Sequence, residues 1–240
     1  MKKSRLRMIS AALAVCMMTS VLPMGAMAQG GGGKEAENGV SAQDVSSTPT
    51  TEEERIAAGW VKIDEKNFPD EHFRNFVSTR YFHDPHAIHY DSQKIDQNSD
   101  KWLSPEEIAA VKWIDCSEEQ IEKLTGIEYF TALEYLDCSF NQLTELDVRK
   151  NKALTHLECV KNQLTELDVS KNTALTELNC NLNQLRKLDV RDNTALTELY
   201  CSGNQLTELD VGSNPALKKL DCRYNQLTKL NVGSKPALKE

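Results

Sequence analysis

The chain has 240 residues, with 28 Lys and Arg against 36 Asp and Glu, a formal net charge of −8 and 6% aromatic residues. That acidic balance argues against nucleic acid as a partner, because phosphate binding calls for a basic face. The sequence carries no nucleophile elbow, zinc-protease helix or phosphate loop, so no catalysis is expected.

Residues 1–28 read as a secretory signal. Lys2, Lys3, Arg5 and Arg7 precede an apolar run from Met8 to Leu22, and Ala26-Met27-Ala28 offers a small-residue cleavage site. Pro23 and Gly25 interrupt the run, and no other stretch approaches the ~20 apolar residues of a membrane span. Leu13-Ala14-Val15-Cys16 has the outline of a lipoprotein box, but the valine and the continuing apolar run argue against lipidation. Cleavage would leave 24 basic residues against 36 acidic ones, a formal charge of −12. Residues 29–59, GGGGK and then SAQDVSSTPTTEEER, have the composition of a disordered linker.

Residues 60–113 are expected to form a small helical cap. Helices are predicted to start at Phe68-Pro69-Asp70-Glu71 and at Ser104-Pro105-Glu106-Glu107, where capping residues stand before apolar runs. Between them, Asp96, Asn98, Asp100 and Glu107 occupy positions one, three, five and twelve of an EF-hand calcium loop. The backbone carbonyl of Trp102 would serve at position seven. Lys101 stands where such loops carry glycine, adding a positive charge at a position that needs positive φ. Two readings are open here: a calcium site, or a degenerate loop whose helices cover Ile114 and Cys116. Upstream, His83, Asp84, His86, His89 and Asp91 have spacing that suits a transition metal, but without a second cluster a polar insertion is the simpler reading.

From Leu133 onward the chain repeats every 21 residues: LEYLDCSFNQLTELDVRKNKA, LTHLECVKNQLTELDVSKNTA, LTELNCNLNQLRKLDVRDNTA, LTELYCSGNQLTELDVGSNPA and LKKLDCRYNQLTKLNVGSKPA. A fixed period of this length marks a solenoid. Cys138, Cys159, Cys180, Cys201 and Cys222 recur in register, with Cys116 in a degenerate entry coil. Stacked in parallel at strand spacing, their side chains cannot adopt the ±90° torsion of a relaxed disulfide, so they are expected free and buried. Leu133, Leu136, Leu143, Leu146 and Val148 mark the other inward positions. Each copy nearly repeats itself, LxxLxCxxN then LxxLDVxxN, which predicts two extended segments per turn.

Asn141, Asn162, Asn183, Asn204 and Asn225 form a second column, expected to satisfy backbone groups at bends. A third column, Asp147, Asp168, Asp189 and Asp210, ends in Asn231. It reads as solvated acid among Arg149, Lys171 and Arg191 rather than as a cation site. The last copy is basic, with Lys218, Lys219, Arg223, Lys229 and Lys235 against Asp221, which suits a blunted sheet edge.

The repeat resembles the cysteine-bearing, 21-residue leucine-rich repeat of internalin J-type bacterial secreted proteins. The stretch NFPDEHFRNFV and DQNSDKWLSPEEI is similar to EF-hand-like segments that precede such repeats. The resemblance implies an α/β-type repeat solenoid, a right-handed leucine-rich coil with parallel strands, preceded by a small helical EF-hand-like cap. Residues 114–240 would be the solenoid. It also implies adhesion or partner recognition at the cell surface or in the secreted state.

Invariant inward positions build the scaffold, so recognition is assigned to what varies outward. On the cysteine-bearing strand these residues are Tyr135, Asp137, His156, Glu158, Glu177, Asn179, Glu198, Tyr200, Lys219 and Asp221. The expected ligand is a protein or a cell-surface glycan. The alternative function is a calcium-binding envelope protein that uses the solenoid as scaffold.

Overall fold

The computed structural model describes residues 48–82 and 93–234. The expected signal, most of the expected linker, the His83 to Asp91 segment and Lys235 lie outside the described residues. No helix among the described residues is long and apolar enough to cross a membrane.

The first helix is α1, Glu52–Ala57, which falls inside the stretch expected to be linker. Its start is fixed by a reciprocal capping box: Thr51 Oγ1 accepts the Glu54 amide at 3.2 Å, and Glu54 Oε2 accepts the Thr51 amide at 3.1 Å. A helix this short does not persist alone. Arg55 anchors it, pairing with Asp100 at 2.9 Å and lying 4.9 Å over Trp60 and 5.4 Å over Trp102. Charge composition alone hid Asp100 and Trp102, which are remote from Arg55 in sequence.

Strand β1, Val61–Lys62, precedes α2, Glu71–Thr79, which Asp70 caps through the Phe73 amide at 2.9 Å. The apolar face of α2 buries Phe73, Phe76 and Val77. Strands β2, Tyr81–Phe82, and β3, Gln93–Lys94, pair antiparallel. Next come β4, Trp102–Leu103, antiparallel to β1, and α3, Pro105–Ala110, which opens on the expected Ser104–Glu107 capping box.

The solenoid follows. Strands β5 (Trp113–Asp115), β6 (Tyr135–Asp137), β7 (His156–Glu158), β8 (Glu177–Asn179), β9 (Glu198–Tyr200) and β11 (Lys219–Asp221) form one parallel six-stranded sheet in coil order. The register advances by one repeat from β6 onward, so Leu136, Leu157, Leu178, Leu199 and Leu220 stack. The second extended segment forms a ladder only between β10 (Glu208–Asp210) and β12 (Lys229–Asn231). In the earlier coils, backbone-to-backbone bonding between coils on that side stops at the glutamines, as where Gln163 N donates to Leu143 O at 2.8 Å, and asparagine side chains take over beyond them.

One apolar cluster runs continuously from Ile63 in the cap to Leu217 in the last repeat. A single coil cannot offset the entropy of ordering its residues, at ~1–2 kcal/mol each for the backbone, so stability comes from stacking. Cys116, Cys138, Cys159, Cys180 and Cys201 are buried and free. Cys222 is free but only half-buried, contrary to full burial, because it sits in the last described coil.

Two asparagine columns hold the bends. The expected one works as a bridge: Asn162 Oδ1 accepts the Leu143 amide at 3.0 Å while its Nδ2 donates to Cys138 O at 3.0 Å. The other, Asn151, Asn172, Asn193 and Asn214, is fully buried. Asn172 Nδ2 donates to Val148 O at 2.9 Å and to Asn151 O at 2.8 Å.

Candidate functional site

The sheet presents two outward columns flanking the buried leucines. One reads Trp113, Tyr135, His156, Glu177, Glu198 and Lys219; the other reads Asp115, Asp137, Glu158, Asn179, Tyr200 and Asp221. All ten residues singled out in the sequence lie on this face, and none faces the core. Two more join them. Trp113 and Asp115 belong to the entry coil, whose Trp113-Ile114-Asp115-Cys116 aligns with Tyr135-Leu136-Asp137-Cys138, a match that could have revealed them.

The face is internally wired. Trp113 and Tyr135 stack with ring centroids 3.4 Å apart and planes 3° from parallel, and His156 lies 6.0 Å beyond at a tilt. Tyr135 donates its hydroxyl to Glu158 at 3.0 Å. Farther along, Glu198 accepts from Tyr200 at 2.7 Å and from Lys219 at 2.8 Å.

Electrostatics sharpen this picture. Burial pushes the Asp137 carboxyl up to about 6, helped by the nearby Glu158 and Asp115 carboxylates, against the Ser139 hydrogen bonds that favour its charge. Burial likewise raises the Tyr135 and Tyr200 phenols, Tyr200 to about 12. Both tyrosines are therefore neutral donors at physiological pH. The thiols are pushed up by burial too, Cys159 to about 12, so they are poor nucleophiles and poor metal ligands.

The aspartate column stands two residues ahead of a turn in each coil. Asp147 Oδ1 accepts the Arg149 amide at 3.0 Å, and the same carboxylate pairs with the Arg149 guanidinium at 2.7 Å. Asp168, Asp189 and Asp210 each accept the amide two residues on. These hydrogen bonds occupy the acids, as the solvated reading expects.

In the cap, the EF-hand-like residues lie on one loop, where backbone amides hold their side chains. Asn98 Oδ1 accepts the Asp100 amide at 2.9 Å, Asp100 Oδ1 accepts the Trp102 amide at 2.9 Å, and Asp96 Oδ2 accepts the Lys101 amide at 3.1 Å. Glu107 is buried and turned to the amides of Gln97 and Ser104, each at 2.8 Å. Among the described residues no three His, Cys, Asp or Glu side chains are already gathered as a metal cluster.

Sequence reasoning missed one surface column. Phe140, Lys161, Leu182 and Tyr224 hold positive φ of 52° to 57° at a single repeat position, where the fourth copy has Gly203. Phe140, Leu182 and Tyr224 are exposed.

Comparison with known proteins bears directly on this architecture. The family profile for leucine-rich repeats in two copies matches residues 194–235. Internalin J of Listeria monocytogenes is 39% identical over 109 residues, which is 45% of this chain and 10% of internalin J. The solved functional domain of that protein, described as including a cysteine ladder, superposes with a TM-score of 0.60 at 38% identity, over 72% of this chain and 35% of that one. The repeat region is an internalin J-like leucine-rich solenoid. A second solved internalin, inlF of L. monocytogenes, shares the fold at TM-score 0.55 and 22% identity, over 68% of this chain and 46% of its own. The chain spans about a tenth of the length of internalin J and about a third of the solved domain.

Proposed function

We propose that this is a secreted or surface-held bacterial recognition protein, adhesin-like and without catalysis, whose solenoid binds a protein partner through the Trp113 to Asp221 sheet face. One observation carries the reading: positions inside the coil repeat, while the two outward columns change from coil to coil. Selection for stacking alone explains the interior, and an extended parallel face is the surface that solenoids use for binding. The internalin J likeness of the repeats supports the same role.

The chemistry of the face favours a basic protein partner over a neutral glycan. Asp115, Asp137, Glu158, Glu177, Glu198 and Asp221 face outward beside one lysine, Lys219, and the stacked Trp113 and Tyr135 offer aromatic area suited to arginine. The test uses immobilised wild type and the Tyr135→Ala/Tyr200→Ala double variant, challenged with fractionated cell-surface material in rising salt. A protein retained by the wild type, released by salt and lost from the variant is expected. Retention by both alike would refute the assignment.

A further inference from the structure

Independently of the sheet face, we propose that the Asp96 to Glu107 loop binds one calcium ion through Asp96, Asn98, Asp100, the Trp102 carbonyl and Glu107. Asp96 carries the inference. Its side chain is 1% exposed, and although Oδ2 accepts the Lys101 amide, Oδ1 is buried with no hydrogen-bond partner. A carboxylate oxygen held out of water without a partner is costly, and a hard cation is the partner that satisfies it.

The backbone around it suits the same ion. Ser99 and Lys101 hold φ of 59° and 64°, so Lys101 already adopts the conformation usually left to glycine at position six. Trp102 pairs opposite Lys62, while the neighbouring Ile63 amide bonds Lys101 O at 2.9 Å. Lys62 and Trp102 are thus a non-hydrogen-bonded pair, which turns the Trp102 carbonyl away from β1 and leaves it available at position seven.

Glu107 completes the shell by changing partners. Its oxygens now accept the Gln97 and Ser104 amides, so an arriving ion must draw it away, while the Glu107 amide keeps its bond to Ser104 Oγ at 3.1 Å. That rearrangement, the Lys101 charge and the Arg55–Asp100 pair at 2.9 Å all weaken binding. Affinity is therefore placed at the extracellular end of the calcium range, with Kd of about 10⁻⁴ to 10⁻³ M.

Terbium luminescence tests this in the full chain, because Trp102 is buried beside the proposed shell and sensitises a bound lanthanide. The expected result is a saturable signal displaced by millimolar calcium. Glu107→Gln can keep the Ser104 bond of the capping box but gives up the one to Gln97, so its fold is checked by circular dichroism, and it should weaken binding about tenfold or more through loss of the bidentate carboxylate. Lys101→Gly should tighten it about tenfold by removing both the charge and the strained φ. Absence of signal in both wild type and Lys101→Gly overturns the proposal. So does a signal unchanged by Glu107→Gln and Asp96→Asn when circular dichroism shows both variants folded.

Discussion

Tyr135 lies flat on Trp113, 3.4 Å between ring centroids, and turns its hydroxyl to Glu158 on the next strand at 3.0 Å. One side chain thus couples three successive coils, the entry coil among them. Removing either ring should cost stability, and the losses should not add: a double-mutant cycle on Trp113→Ala and Tyr135→Ala is expected to give a coupling of ~0.5–1.5 kcal/mol. Denaturant unfolding of the four proteins measures it. Additive losses would show that the stack contributes nothing beyond its burial.

Asp137 makes stability depend on pH in an unusual sense. Its carboxyl is raised from 3.8 to about 6 by folding, so the folded state holds the proton more tightly than the unfolded chain. Stability from this group is therefore fully present below pH 3.8 and declines as pH rises to about 6. Asp147 and Asp189, lowered to about 2 mainly by Arg149 and Arg191, act oppositely and in a separate window below 3.8. Asp137→Asn keeps an oxygen for the Ser139 amide and should stabilise the protein at pH 7 by ~1–2 kcal/mol, with no gain at pH 4. Thermal unfolding across that range shows it; a gain independent of pH would reject the assignment.

The positive-φ column predicts a paired effect. Leu182 holds φ 56° while 55% exposed, so Leu182→Gly relieves strain with little loss of packing and should stabilise by about 1 kcal/mol. Gly203, one repeat later at φ 68°, should show the reverse: Gly203→Ala adds a Cβ that meets Leu182 Cδ2 at 2.8 Å and destabilises by about 1 kcal/mol. Unfolding midpoints of the two variants moving in the same direction would contradict the strain argument.

Much of the architecture was legible because stacking demands identity. A residue that must face its own copy above and below, such as Leu157 or Cys159, cannot vary, and the period exposes it. Outward positions were legible by alternation from that frame, so Tyr135 through Asp221 could be placed on the outer face of the sheet. Trp113 and Asp115 were missed because the entry coil departs from the period, and α1 because Arg55 finds Asp100 and Trp102 far along the chain. The inner asparagines escaped notice for another reason. Asn172 looks like a turn residue in sequence, and only the coil geometry shows that its amide reaches two backbone carbonyls in the interior.

The solenoid interior depends on the cysteines being scaffold, and thiol titration with and without denaturant tests that most directly. Cys16 aside, the prediction for the folded protein is that Cys222 alone reacts, since Cys116, Cys138, Cys159, Cys180 and Cys201 are buried with their thiols held well above ordinary values. Unfolding should then release all six. Fewer than six thiols in denaturant would mean disulfides across the coils, and the reading of the ladder as free interior side chains would be wrong.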